Sequence, residues 1–373
     1  MPFEHRGAWM EIDLDIIEEN YKKIQARVKT ASVCAVVKAD AYGHGMIEVT
    51  KRLIGCGVTY FAVATLNEGI ALRKAFKDID ILILGYCPTS SASELITYDL
   101  TQTLYDFEQG MAFDTYARAC QKQIKVHIKF DTGLRRLGFA MCEASYQAVE
   151  TLAKCKGLYI EGLYSHFAKA DERDTTSARN QAVAFETIIQ TFKERGLTFA
   201  LKHICNSAGL LQFPEYHFDM VRPGIILYGL SPSDALAYQT RELKEAMAVK
   251  AEVAMFKSVK KGDGVSYGHR YHLPEDMNIM TLPLGYADGL LRGLSGKAFV
   301  TVGGHAFPIV GSICMDQCLV NIEDTVLAIG EEVTVMGGNV HKKNAIIAYA
   351  KYLQTIPYEV VCQFSARLHR KYR

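Results

Sequence analysis

The chain has 373 residues and a mass of 41.5 kDa, more than one domain of about 150 residues accounts for, and 49% of its residues are apolar, enough for a sizeable core. Its 42 Lys and Arg nearly balance 41 Asp and Glu, leaving a net charge of +1. That balance argues against a nucleic-acid groove or a polybasic membrane patch and points to a small partner.

The N-terminus, Met1-Pro-Phe-Glu-His-Arg-Gly7, lacks an apolar stretch behind a basic cap, and no apolar run approaches the roughly 20 residues of a membrane span. A soluble, cytoplasmic protein is expected. Ten cysteines are scattered without a CxxC pair, so reduced, buried thiols are expected rather than a disulfide framework.

Between residues 30 and 230 short apolar, β-branched runs alternate with longer amphipathic stretches. The runs are 33–37, 60–64, 79–84, 100–104, 125–130, 159–163, 201–205 and 218–221. A stretch such as 180–195 spaces its apolar residues at three and four, as a helix lying on a sheet does. Eight such units predict an α/β fold with a closed (β/α)8 barrel, placed over residues 1–240, with an open doubly wound sheet as the rival. From about 245 the runs 248–256, 279–282, 298–302, 307–310 and 332–336 are short, Gly-broken and partly alternating. They predict a mainly antiparallel β domain over 241–373, with the connection starting near Ser231.

In a parallel barrel, chemistry sits at the C-terminal strand ends. There the sequence places Lys38, then Asp131 to Arg136, Ser165-His166, Asn206-Ser207-Ala-Gly209 and Arg222-Pro-Gly224. A lysine directly behind five apolar residues starts partly buried, where desolvation lowers its pKa and frees the amine as a nucleophile. A nucleophilic amine wants a carbonyl, and pyridoxal phosphate is the commonest carbonyl cofactor held this way. Its phosphate would suit the small and hydroxyl residues after the seventh and eighth strands. No Walker A or Gly-x-Gly-x-x-Gly pattern occurs. Cys314, Cys318 and His305 lack the spacing of a metal site, so no metal is expected.

Taken together, Ala35 to Gly45 (AVVKADAYGHG), Asp131 to Gly138, Tyr164 to Phe167, Cys205 to Gly209, Val221 to Gly229, Val265 to Gly268, Leu284 to Gly289, Gly311 to Gln317 and Ile356 to Glu359 resemble the alanine racemase family over almost the whole chain. The resemblance implies a barrel plus β domain, paired head to tail so that each barrel mouth is completed by a second copy. It implies that Lys38 joins the aldehyde of pyridoxal phosphate and that Tyr42, Ser207, Gly224, Ile225 and Tyr358 hold the phosphate, with Asn206 beside them. Arg222 would face the pyridine nitrogen with His166 bonded to it, Arg136 would bind the substrate carboxylate, and Met315 would come from the partner.

Racemisation removes a proton from one face of Cα and returns one to the other, which suggests two bases, Lys38 and the partner subunit's Tyr267. Both begin near pKa 10 in water, so each needs about two units of depression to act near neutrality. An arginine at the ring nitrogen stays protonated, which keeps that nitrogen neutral and weakens the electron sink. The resemblance further implies a carbamylated Lys129 that positions Arg136. Asp40 stands where Asn is common, Arg135 competes with Arg136 for the carboxylate role, and Tyr358 favours alanine. The expected physiological role is supply of D-alanine for peptidoglycan. A serine or broad-spectrum racemase, a decarboxylase, on the same scaffold, and a non-catalytic pyridoxal-phosphate carrier are the rivals. Arg222 argues against the decarboxylase, and the β domain with Tyr267 and Met315 against the carrier.

Overall fold

Eight of the apolar runs pair side by side as parallel strands: Ser32–Val36, Tyr60–Val63, Asp80–Ile83, Thr101–Leu104, Ile124–Lys129, Leu158–Tyr164, Leu201–His203 and Met220–Val221. The computed structural model describes residues 7–373, so the expectation drawn from Met1 to Arg6 lies outside the described residues. Neighbours in the sheet follow chain order, and Met220–Val221 returns to lie beside Ser32–Val36. The seam between the last two strands is closed by Asp219 N–H donating to Lys202 O at 3.0 Å and Arg222 N–H donating to Cys205 O at 2.9 Å. A sheet that meets itself leaves no edge, which excludes the open doubly wound alternative and confirms the barrel.

Strands buried on both faces need apolar residues at successive positions, and Phe61, Ala62 and Val63 are all fully buried. The helix foreseen near 180–195 runs Thr176–Glu194 and buries Ala178, Ala182, Phe185, Ile188 and Phe192, the spacing of one helical face. Among the described residues no helix is long and apolar enough to cross a membrane.

The second sheet has nine strands, in the order Met255–Val259, Met277–Leu282, Cys318–Asn321, His305–Val310, Phe299–Val302, Glu332–Gly337, Met247–Glu252, Ala8–Ile12 and His369–Tyr372. It is antiparallel except for its final pair. The run read as one strand over 248–256 is two, because the chain leaves one neighbour after Glu252 and pairs with Met277–Leu282 from Met255. Ala8–Ile12, which the sequence reading assigns to the barrel with the rest of 1–240, pairs instead with Met247–Glu252 and His369–Tyr372. Five residues with one β-branched side chain carry too little pattern to announce a partner so far along the chain. One continuous core joins both sheets.

Trp9, the only tryptophan, is 7% exposed in that strand, and the Lys371 ammonium lies 3.7 Å from its ring centroid. Removing residues 369–373 is expected to expose the indole and shift its fluorescence to the red. An unshifted emission maximum would show that the terminal strand does not cover it.

Candidate active site

The chain changes hand immediately after Lys38. Ala39, Asp40, Ala41 and Tyr42 have φ of 52°, 53°, 55° and 53°, a left-handed turn that costs L-residues roughly 1–2 kcal/mol each. It persists because its polar groups are satisfied internally. Ala41 N–H donates to Val37 O at 2.8 Å, Gly43 N–H to Ala39 O at 2.9 Å and Gly45 N–H to Asp40 O at 2.9 Å. His44, fully buried and pushed down to about 4 by burial, is neutral and donates from Nδ1 to Ala41 O and Tyr42 O at 3.1 and 3.0 Å. Gly45 has φ +94°, and a Cβ there would stand 1.9 Å from the Tyr372 hydroxyl, so the terminal strand sits directly on this turn.

Lys38 and Tyr42 line a cavity of about 230 Å³ in the barrel mouth with Arg136, His166, Asn206, Ser207, Arg222, Gly224 and Tyr358. Nine sequence-identified residues therefore meet in one place, and Arg136 rather than Arg135 lines it. Val36 and Leu84 add apolar wall. Ile225 is fully buried and opens the short turn Ile225–Tyr228 directly behind Gly224.

One side of the cavity is built from donors. Asn206 caps the helix Ser207–Gln212 by accepting from Gly209 N–H at 2.9 Å, and Ser207 Oγ accepts from Gly224 N–H at 2.9 Å. A Cβ on Gly224 would lie 2.4 Å from the Tyr42 hydroxyl, so only glycine leaves that space open. The Tyr42 and Tyr358 rings are 6.1 Å apart, and burial pushes both hydroxyls well above their ordinary range, so they remain protonated donors. Backbone N–H groups, hydroxyls and a helix start without a lining carboxylate suit a small anion.

Arg222 forms the floor. Its guanidinium, 2% exposed, donates to Ser165 O at 2.9 Å, Ile204 O at 3.1 Å, His166 Nδ1 at 3.1 Å and His203 Nδ1. Burial, then the Arg222 charge, hold both histidines well below the usual imidazole range, so both can accept. Because His203 accepts at Nδ1, its Nε2 carries the proton and donates to His127 Nδ1 at 2.8 Å. His127 Nε2 then donates to Glu161 Oε2 at 2.9 Å, and Tyr60 donates to the same oxygen at 2.7 Å. A chain of side chains thus fixes the guanidinium.

Two more cations, Lys38 and Arg136, line the same space, and a third, Lys129, is coupled to them electrostatically. Burial, and next the Arg136 charge, lower Lys38. Lys129 is pushed down to about 8 by burial, Arg136 and Arg222, and its Nζ lies 5.3 Å from the Tyr164 ring centroid. Tyr164 stacks on His203 with centroids 4.7 Å apart. Sequence reasoning missed His203, although a histidine inside the apolar run 201–205 was a readable sign of an inward-facing polar group.

Tyr267 and Met315 are not in this cavity. They line a second one of about 430 Å³ in the β domain with Tyr286, Arg292 and Asp316, and stand 75% and 54% exposed. Ser266 Oγ donates to Ser312 O at 2.6 Å and Ser312 Oγ donates to Tyr267 O at 3.2 Å, which knits the two turns together and presents both side chains outward. Tyr286 and Arg292 were not identified from the sequence; Tyr286 lay within the quoted Leu284 to Gly289 passage.

Residues 12–232 match the family described as alanine racemase, N-terminal domain, and residues 246–372 its C-terminal domain. Alanine racemase 1 of Clostridium acetobutylicum is 39% identical over 99% of this chain and 96% of its own length. The solved alanine racemase of Clostridium difficile 630 superposes with a TM-score of 0.93 at 38% identity, covering 98% of this chain and 96% of that one. A structure of the same enzyme in complex with cycloserine gives 0.92 at 37%, covering 98% and 95%.

Lys129 makes stability depend on pH in a defined direction. Its folded pKa of about 8 lies below the ordinary lysine value of 10.5, so between these values the unfolded chain binds the extra proton and stability rises with pH. In carbonate-free buffer the parent is expected to gain up to about 3 kcal/mol across that window relative to Lys129→Met, an order-of-magnitude figure. Parallel stability curves for the two proteins, measured by denaturant unfolding, would contradict it.

Proposed function

The chain belongs to the alanine racemase family and is an amino-acid racemase; from that premise we propose that it interconverts L- and D-alanine with pyridoxal phosphate by a two-base mechanism, within a homodimer. The observation that carries this reading is the conjunction in one cavity of a desolvated lysine, an anion cradle and a buried arginine. The residues fit the cofactor: Ser207, Tyr42, Tyr358 and the backbone at Gly224 and Ile225 would hold its phosphate in the space a Cβ at Gly224 would fill, and Arg222 would stand at its ring nitrogen.

When bound, pyridoxal phosphate supplies an aldehyde for an amine and a conjugated ring that shares the electron pair left as Cα loses its proton. The protein's residues do the rest. Lys38, its pKa lowered by burial and Arg136, gives up its proton more readily than a free lysine and moves a proton at one face of Cα. Arg136 binds the substrate carboxylate and so fixes which face that is. Arg222 remains charged, because a guanidinium is far more basic than the neutral imidazoles it donates to. It would donate to the ring nitrogen of a bound cofactor without protonating it.

The opposite face needs a second group besides Lys38. Tyr267 is exposed in a separate cavity with Met315, which supports its delivery to a second copy's barrel mouth. The head-to-tail dimer is thus part of the same proposal. Lys129, with its depressed pKa and adjacent Arg136, fits the carbamate that would convert a repulsive ammonium into an anchor for the guanidinium; an intact mass raised by one carbon dioxide in bicarbonate checks it. Supply of D-alanine to peptidoglycan completes the reading. Arg222 at the floor disfavours a decarboxylase that places a carboxylate there, and the exposed Tyr267 has no purpose in a mere carrier.

Purified protein is expected to be yellow and to bring either enantiomer of alanine to equal amounts of both. Lys38→Ala loses the visible band, whereas Tyr267→Phe keeps it and loses most turnover. Mixing the two inactive chains by co-expression should restore about a quarter of the parental activity, because half of the random dimers hold one intact site. No recovery would show that Tyr267 does not serve a second copy.

A further inference from the structure

We infer that Glu68 and Arg370 are positioning residues for Lys38, clamping from opposite sides the left-handed turn that aims its amine. The inference rests on the reading of Lys38 as the cofactor-bearing residue. The first half of the clamp acts on the peptide bond that joins Lys38 to Ala39. The N–H of that peptide donates to Glu68 Oε1 at 2.7 Å, and the other carboxylate oxygen accepts from Ala64 N–H at 2.8 Å and Thr65 N–H at 3.1 Å. Thr65 reciprocates by capping Glu68 N–H at 3.3 Å, so Glu68 closes a capping box on its own helix, Leu66–Ala75. One carboxylate therefore ties the turn after the first barrel strand to the start of the helix after the second.

The second half acts on the far end of the turn. Asp40 Oδ1 accepts from Met46 N–H at 2.7 Å, and its other oxygen pairs with Arg370 at 2.8 Å. Arg370 also donates from Nε to Gly43 O at 2.8 Å. This arginine lies on the strand His369–Tyr372, beside the Tyr372 hydroxyl that abuts Gly45. The pairing gives Asp40 a purpose: an ionised carboxylate accepts at both oxygens, whereas an asparagine at this position would accept at one and present donors at the other.

A turn of four strained residues relaxes if its ends are released, and the backbone that would move first is the one carrying the Lys38 side chain. Glu68 is chemically hard to replace. Three N–H groups converge on its two acceptor oxygens, and glutamine would turn an NH2 toward at least one of them. Lysine at 370 could pair with Asp40 but could not supply the forked second donor to Gly43 O.

The test compares the parent with Glu68→Gln and Arg370→Lys. For each, the thermal midpoint is measured, with the rate at which cofactor-stripped full chain regains its visible band from added pyridoxal phosphate and the circular dichroism of that band. A loss of aim predicts capture on the order of 100-fold slower in Glu68→Gln, a weaker dichroic band and a smaller effect of the same kind in Arg370→Lys, with thermal midpoints near the parent's. Capture rates and dichroism equal to the parent's, or a lowered midpoint with both unchanged, would overturn the proposal and leave these residues as structural ties. Should Glu68→Gln not fold, Arg370→Lys decides by the same readouts. A parent that gains no visible band fails the reading of Lys38 itself, a result separate from equal capture in all three proteins.

Discussion

A guanidinium held out of water at the base of the barrel mouth sets the terms for everything near it. Taking such an ion from solvent costs several kcal/mol unless its donors are answered. Arg222 is answered by two carbonyls and two imidazoles, none of which can neutralise it. The compensating charge sits two histidines away at Glu161, midway along the strand Leu158–Tyr164. The cavity above therefore stays electropositive, which adds to burial and Arg136 in lowering Lys129 and draws anionic groups inward. A carboxylate placed directly against Arg222 would satisfy it equally well and would cancel that field.

The parts of this arrangement that were legible in the sequence are those with local signals. Barrel strands announce themselves as short β-branched runs because both faces are buried, and Lys38 follows such a run without a break. Gly224 and Ser207 looked like ordinary turn residues singly; only their shared place after consecutive strands gave them meaning. What could not be read is what depends on remote pairing. Ala8–Ile12 and Cys318–Asn321 are short segments whose neighbours come from other parts of the chain, and neither period nor composition names those neighbours. Glu68 was invisible for another reason: as a capping-box residue it looks fully explained by its own helix, and its second task is apparent only in three dimensions.

Under the proposed two-base reading, the β domain answers a requirement that the barrel alone does not meet. A barrel mouth approaches its ligand from one side, while inversion of a stereocentre needs groups on two. Turns held rigidly together by Ser266 and Ser312 keep an exposed tyrosine in a fixed attitude, a state worth maintaining only if some other surface receives it. On that reading, stability and reactivity are divided between modules: the buried lysine is shaped by its own barrel, and the exposed Tyr267 is carried outward by the β domain.

The strand Ala8–Ile12 lies between segments made far later, and Arg370 reaches the turn at Gly43 across 327 residues of sequence. During synthesis the barrel strands can emerge and associate while the first strand still waits for both neighbours. The Arg370 brace on the turn after Lys38 forms only once residues 369–372 have been made, whereas the Glu68 brace comes with the barrel's early elements. Timing is thereby written into topology: a nascent product can own every barrel strand and the Glu68 tie and still lack the Arg370 tie to Asp40 and Gly43, so the turn is braced at both ends only when this strand joins the sheet.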